Sequence, residues 1–272
     1  MTIVFGPAGI PIGAKGNNVD GLNHSINLGL GAYEVEFVRG ARMTPLMARE
    51  MQVIRDKNNI RVSCHAPYFI NCNNPDKYGL TRKHLLDCIK VSQDLRFTRI
   101  VFHTGYLMGQ SRGEALKTCI KTIKRVINDA YDKGYKNFIL GPETNGKKSQ
   151  VGTTEELIAI CKECKECRPV IDWAHLHATS NGGLKTEQDF KRPLELIERE
   201  LGKTYLKELH CHFSNIEYTD KGEVRHWPLD SKWGPDFNVL ARVIKDYDFT
   251  IICESPLIEK DALKMKSILN KM

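Results

Sequence analysis

Short runs rich in β-branched and aromatic residues alternate along the chain with longer segments whose apolar residues recur every three to four positions. This alternation restricts the fold more than any other feature, because each period commits its segment to one kind of element. Eight runs read as strands: Thr2 to Phe5, Tyr33 to Val38, Arg61 to His65, Arg99 to His103, Asn137 to Glu143, Val170 to Asp172, Glu208 to His212 and Thr250 to Glu254. Between and after them lie helical patterns at Val19 to Leu28, Pro45 to Lys57, Leu80 to Leu95, Gly113 to Lys133, Thr154 to Cys164, Glu187 to Leu201, Phe237 to Lys245 and Asp261 to Lys271. Leu116, Ile120, Ile123, Val126 and Ile127 make one typical stripe, which faces a core. No linker, low-complexity tract or compositional break divides the 272 residues, so one domain spanning residues 1–272 is expected.

Eight strands, each followed by a helix, predict an α/β fold of (β/α)8 TIM-barrel type, whose active site forms where the C-terminal ends of the strands meet the following loops. Composition agrees: 41% hydrophobic and 27% charged residues exclude disordered, collagen-like and coiled-coil chains. No run of 18 apolar residues occurs, and Met1 to Pro11 lacks the basic flank and apolar stretch of a signal peptide. A soluble cytoplasmic protein without membrane association is therefore expected. Nine cysteines, an odd count without small-domain spacing, predict reduced thiols rather than a disulfide framework. The net charge of +7 suits a polyanionic partner without requiring one.

Six consecutive strands end in metal-ligand residue types. The third ends in Cys64-His65, the fourth in Phe102-His103 and the fifth in Pro142-Glu143. The sixth ends in Ile171-Asp172 with His175 three residues on, the seventh in His210-Cys211-His212, and the eighth in Cys253-Glu254. Buried carboxylates and imidazoles are costly unless paired or bound to a cation, so a mouth lined this way asks for divalent metal. Mixed imidazole and carboxylate donors suit zinc, manganese or iron at a catalytic site with open positions.

At these residues the chain resembles endonuclease IV, the zinc-dependent apurinic/apyrimidinic (AP) endonuclease family within the xylose isomerase-like TIM barrels. The likeness runs from about Arg39 to Glu254; His65-Ala66-Pro67-Tyr68-Phe69-Ile70-Asn71 looks like the family's His-x-x-Tyr-Leu-Ile-Asn, and Asp172-Trp173-Ala174-His175 like its Asp-x-x-His. The resemblance implies that His65, His103 and Glu143 hold a first zinc, with Glu143 bridging to a second completed by Asp172, His212 and Glu254. His175 and His226 would hold a third, to which the family adds an Asp two residues before the second histidine. Here that position is Val224, and the loop from His212 is one residue shorter than the family's. Two zinc sites are thus expected and the third is left open, with Glu223 or Asp220 as substitutes. The family's Asp and Lys after its strand 7 histidine are Asn215 and Glu217 here.

The activity implied is metal-dependent hydrolysis of double-stranded DNA at abasic sites by a monomer, with Glu143 orienting the nucleophile while the cations neutralise charge. Arg42, Tyr68 and Phe69 would enter the duplex at the lesion, and basic residues such as Lys147, Lys148, Arg192 and Arg225 would meet phosphates. A sugar isomerase or epimerase, whose superfamily also uses Glu, Asp, His and Glu around a metal, is the runner-up; His65 and His103 favour the nuclease. A catalytically impaired damage-binding homologue is a third reading, motivated by Val224. Cys161, Cys164 and Cys167 have the spacing of an iron–sulfur run but lie at a helix end, and His24, His84 and His177 are expected to be structural or exposed. His210 shares a strand face with His212 and is a fallback ligand.

Overall fold

In the computed structural model, which describes residues 2–272, eight parallel strands form one sheet. They are β1 (Val4–Pro7), β2 (Ala32–Glu36), β3 (Arg61–His65), β4 (Ile100–His103), β5 (Leu140–Glu143), β6 (Val170–Asp172), β7 (Leu209–Phe213) and, after a two-stranded excursion, β10 (Phe249–Cys253). The order β1-β10-β7-β6-β5-β4-β3-β2 brings the first two strands to opposite ends of the sheet. Gly31 N–H donates to Phe5 O at 3.1 Å and Gly9 N–H to Glu34 O at 2.9 Å, which ties those ends together. The result is the expected TIM barrel.

Eight helices match the expected patterns: α1 (Asn18–Asn27), α2 (Pro45–Asn58), α3 (Tyr78–Leu95), α4 (Arg112–Asp132), α5 (Thr154–Glu163), α7 (Glu187–Leu201), α8 (Phe237–Ile244) and α9 (Glu259–Asn270). Their starts are written locally. Ser111 with Glu114 and Thr153 with Glu156 form reciprocal capping boxes, and Thr44 caps α2 ahead of Pro45, whose fixed φ suits the first helical turn.

Two elements have no counterpart among the expected ones: the short helix α6 (Trp173–Thr179) and the antiparallel hairpin of β8 (Asn215–Thr219) and β9 (Gly222–Trp227). Both sit on the loops after β6 and β7, at the mouth. Strand limits agree at β3 and β6 and move by one to three residues elsewhere. The fifth strand begins at Leu140 rather than Asn137, because Asn137 is left-handed at φ 54° and turns the chain. The first is shifted to Val4–Pro7, in register with Thr250 to Cys253.

Alternation along the strands separates two jobs. Tyr33, Val35, Val62, Cys64, Ile100 and Phe102 face outward into one apolar cluster with Met51, Leu85, Ile89 and Ile123 of α2, α3 and α4. Ile171, Cys211, Phe213 and Ile251 pack likewise against Phe190 and Leu194 of α7, Leu240 of α8 and Met265 of α9. Each such large side chain contributes about 1.5–3 kcal/mol on burial, so the outer seam carries the stability. The intervening residues face the barrel axis and are mostly polar.

Closure depends on close approach of β1 to β2, and a Cβ on Gly6 would lie 2.3 Å from Ala32 O. A backbone oxygen cannot step aside as a side chain can. Gly6→Ala is expected to lower thermal stability by about 2–3 kcal/mol through overpacking, whereas Gly79→Ala, in α3 with open space around it, should be neutral or stabilising by up to about 1 kcal/mol. Equal melting temperatures for the two variants would remove Gly6 from the account of closure.

Candidate metal centre

The C-terminal ends of six strands deliver His65, His103, Glu143, Asp172, His212 and Glu254 to one place. Glu143, fully buried, lies at the middle. Its Oε2 is 3.2 Å from His65 Nε2 and 2.9 Å from His103 Nε2, while its Oε1 is 3.0 Å from His212 Nδ1. The same His212 Nδ1 stands 3.0 Å from Glu254 Oε1 and 4.0 Å from Asp172 Oδ2. The donor atoms fall into two overlapping groups, His65–His103–Glu143 and Glu143–Asp172–His212–Glu254, each spanning no more than 4.8 Å.

A third group, His175, Glu223 and His226, borders the first two. Asp172 caps α6 through the His175 N–H at 2.7 Å, which fixes where the His175 ring projects, and His175 Nδ1 bonds Thr144 O at 2.8 Å. His175 Nε2 is 2.9 Å from Glu223 Oε2. Glu223 stands here because of a bulge. β8 and β9 pair Glu217 with Arg225 but Tyr218 with Glu223, leaving Val224 as the extra residue. Without it, alternation would put Val224 on the face of His226; the bulge hands that place to Glu223 and leaves Val224 half exposed. The expected gap at Val224 is thereby filled by Glu223, while Asp220 belongs to no metal-ligand group among the described residues. Gly146 makes the room, since a Cβ there would lie 2.0 Å from Glu223 Oε2.

The electrostatics show what the groups demand. Burial alone would raise Glu143, yet the imidazoles of His103 and His212 hold its carboxyl well below the usual range. Burial opposes charge on His65 as well, but the bond to Glu143 and the charge of Glu36 push it up to about 10. His175 and His212 are also raised well above the ordinary imidazole value, against burial, by Asp172 and Glu223 in the first case and by Glu254 and Glu34 in the second. Glu223 is lowered to about 2 by His175 and His226 despite its burial, whereas burial carries Asp172 up to about 6. Protons on imidazoles thus compensate the carboxylates. Asp172 Oδ2 and Glu223 Oε2 nevertheless accept no aligned hydrogen bond, and such orphaned buried oxygens beside imidazole nitrogens fit divalent metal ions.

Strand β2 supplies two carboxylates that the sequence reading overlooked. Glu34 is fully buried, 2.9 Å from both His210 Nε2 and His212 Nε2. Glu36, in register with His65, is pushed by burial up to about 8. The signal was present in Ala32-Tyr-Glu-Val-Glu36, where apolar and acidic residues alternate and the acids fall on the inward face. His210, facing Glu34, makes with Glu34 and His212 a fourth cluster of ligand types, one step down β7 from the other three.

Arg42, Tyr68 and Phe69 are exposed at the same end of the barrel, in the loops after β2 and β3. The rings of Tyr68 and Phe69 are 4.3 Å apart, and Phe69 stacks on His84. Cys161, Cys164 and Cys167 are buried free thiols at the end of α5 and just beyond it. His177 packs against Tyr218 of the hairpin. Among the described residues, no helix is long and apolar enough to cross a membrane.

The fold is that of the xylose isomerase-like TIM barrel family, to which the chain belongs: the family's sequence model matches residues 24–270. An uncharacterised protein of Methanocaldococcus jannaschii is 34% identical over the whole of this chain and 98% of its own length. A probable endonuclease 4 of Chlorobium phaeobacteroides is 28% identical, covering 71% of this chain and 69% of its own length. Among solved structures, endonuclease IV from Thermus thermophilus matches 98% of this chain and all of its own with a TM-score of 0.73. Its 17% identity makes that a likeness of fold.

If protons occupy His65, His175 and His212 in the metal-free chain, divalent metal must displace them. Metal uptake at pH 7 should therefore release protons, seen as a calorimetric heat that varies with the ionisation enthalpy of the buffer; a buffer-independent heat would contradict the electrostatics above. The sign for stability follows from the raised His65 value: its contribution is full below about 6.5 and is lost as pH rises through about 10. The metal-stripped chain should accordingly melt at lower temperature across that window.

The bulge carries its own test. Glu223→Gln should lower the number of metal ions bound by one, and Val224→Asp should leave it unchanged. Counting metal per chain by mass spectrometry after gel filtration decides; an unchanged count in Glu223→Gln would mean that Glu223 is no ligand.

Proposed function

We propose that the chain is a zinc-dependent AP endonuclease that hydrolyses a phosphodiester of double-stranded DNA at an abasic site. The observation that carries this reading is the set of three adjoining imidazole–carboxylate groups at one barrel mouth, two of them sharing Glu143. The endonuclease 4 relative and the net charge of +7 point the same way. Zinc ions held by these groups would neutralise charge on a phosphodiester and lower the pKa of an attacking water.

The side chains have separate tasks in this reading. His65 and His103 with Glu143 hold the first metal, Asp172, His212 and Glu254 with Glu143 the second, and His175, Glu223 and His226 the third. Glu143, whose two oxygens face different groups, orients the nucleophile. Tyr68 and Phe69 offer an apolar wedge that compensates unstacking at the lesion, and Arg42 fills the space beside it. The enzyme works as a monomer inside the cell, where its nine free cysteines stay reduced.

One observation favours a second reading. Glu143, Asp172, His212 and Glu254 by themselves form the Glu-Asp-His-Glu donor set that suits a sugar isomerase or epimerase. The extra groups built from His65 and His103 and from His175, Glu223 and His226 go beyond what a single-metal sugar site needs.

The zinc-loaded chain is expected to nick a duplex carrying one abasic site and to leave the intact duplex whole. Glu143→Gln should keep the fold and lose at least about 100-fold in cleavage rate, the scale of a lost general base or nucleophile-orienting group. Turnover of a ketose with no cut in abasic DNA would decide for the isomerase.

A further inference from the structure

We infer that Glu34 is a positioning residue for His212, the anchor of a buried Ser63–Glu34–His210 cradle that fixes which nitrogen of His212 is offered to metal. The inference rests on the reading of Glu143, Asp172, His212 and Glu254 as a metal site. His212 is fully buried, and its two ring nitrogens face different worlds. Nδ1 meets Glu143 Oε1 and Glu254 Oε1, both at 3.0 Å. Nε2 lies 2.9 Å from Glu34 Oε1; neither atom has an aligned hydrogen-bond partner, and each is the polar atom nearest to hand for the other.

An imidazole that gives one lone pair to a metal must keep its proton on the other nitrogen, and that N–H needs an acceptor to hold the ring's tautomer and orientation. Glu34 is the acceptor within reach. Its position is over-determined: Ser63 Oγ donates to Glu34 Oε2 at 2.6 Å, and His210 Nε2 lies 2.9 Å from the same oxygen. These four residues come from three strands, β2, β3 and β7, and none is more than about 1% exposed. Water therefore does not reach the pair to substitute for the carboxylate. The cradle also accounts for His210, which clusters with Glu34 and His212 one step down β7 and has its Nε2 taken up by Glu34.

A neutral amide at position 34 keeps the shape but presents a weaker acceptor, or an NH2 group facing an N–H. Loss of an outer partner of a metal-bound histidine typically costs about 10–100-fold in metal affinity. The test loads the full chain with zinc and withdraws it with a graded series of chelators, following the number of ions retained by native mass spectrometry. In Glu34→Gln one ion should leave at about 10–100-fold lower chelator strength, while the others leave as in the wild type. Long-range 15N correlation spectra of the zinc-loaded chain, labelled in histidine, should show His212 protonated at Nε2 in the wild type and a mixed or exchanged tautomer in the variant.

Ser63→Ala, which removes only the donor to Glu34, should shift the same ion in the same direction by a smaller factor; it serves as the readout if Glu34→Gln does not fold. A wild-type chain that retains no zinc would overturn the metal reading itself and the inference with it. Zinc retained equally by wild type and both variants, with an unchanged His212 tautomer, would overturn the inference alone.

Discussion

The carboxylate of Glu143 sits where solvent does not reach, and the rest of the mouth is arranged around the cost of that burial. An isolated buried carboxylate would give up its charge by taking a proton. Glu143 keeps it because three imidazoles from three other strands stand within 3.2 Å. His65 and His212 among them are raised in turn by the carboxylates of Glu36, Glu254 and Glu34 around them. No member can be removed without leaving another uncompensated, and a divalent ion exchanged for protons satisfies the same demand with fewer participants. A barrel that collects the ends of six strands at one point is suited to such a set, since each strand needs to contribute only one residue.

Much of this was legible in the sequence because the signals were periodic and local. Val170 to Asp172 and Arg61 to His65 are strands as read, and each ends on a ligand type immediately after an apolar run. Glu34 and Glu36 escaped notice for a physical reason. Their strand also carries Tyr33 and Val35, so it reads as an ordinary half-buried strand with a polar outer face, whereas in a closed barrel the polar face is the inner one. Which side of a strand faces the axis is a property of closure, and closure here runs through Gly9, Gly31 and the clearance at Gly6.

The hairpin shows a different limit. A motif counted along the chain assumes unbroken alternation, and on that assumption Val224 occupies the ligand position. One bulged residue between Glu217 and Tyr218 on one strand and Glu223 and Arg225 on the other changes the face of everything before it. The displaced acid follows from that one residue: the carboxylate beside His175 and His226 comes from Glu223, the neighbour of the position that a plain count selects. Glu is one methylene longer than Asp, and Gly146 leaves the space that the longer side chain needs.

Separating stability from chemistry across the two faces of each strand explains how the barrel tolerates its interior. The inward layer below the mouth holds Glu34, Ser63, His210 and the buried Arg99 where branched apolar residues fill many barrels. Burial pushes the Arg99 guanidinium down to about 10, so it stays charged at neutral pH. Such an interior adds little net stability, because desolvation cancels much of what its ion pairs contribute. The outward faces make up the difference through Phe102, Phe213, Ile251 and their helix partners, none of which touches the site. Glu34 and Glu36 lie on that inward face, so this chain carries both carboxylates without drawing on the outward packing that holds its fold.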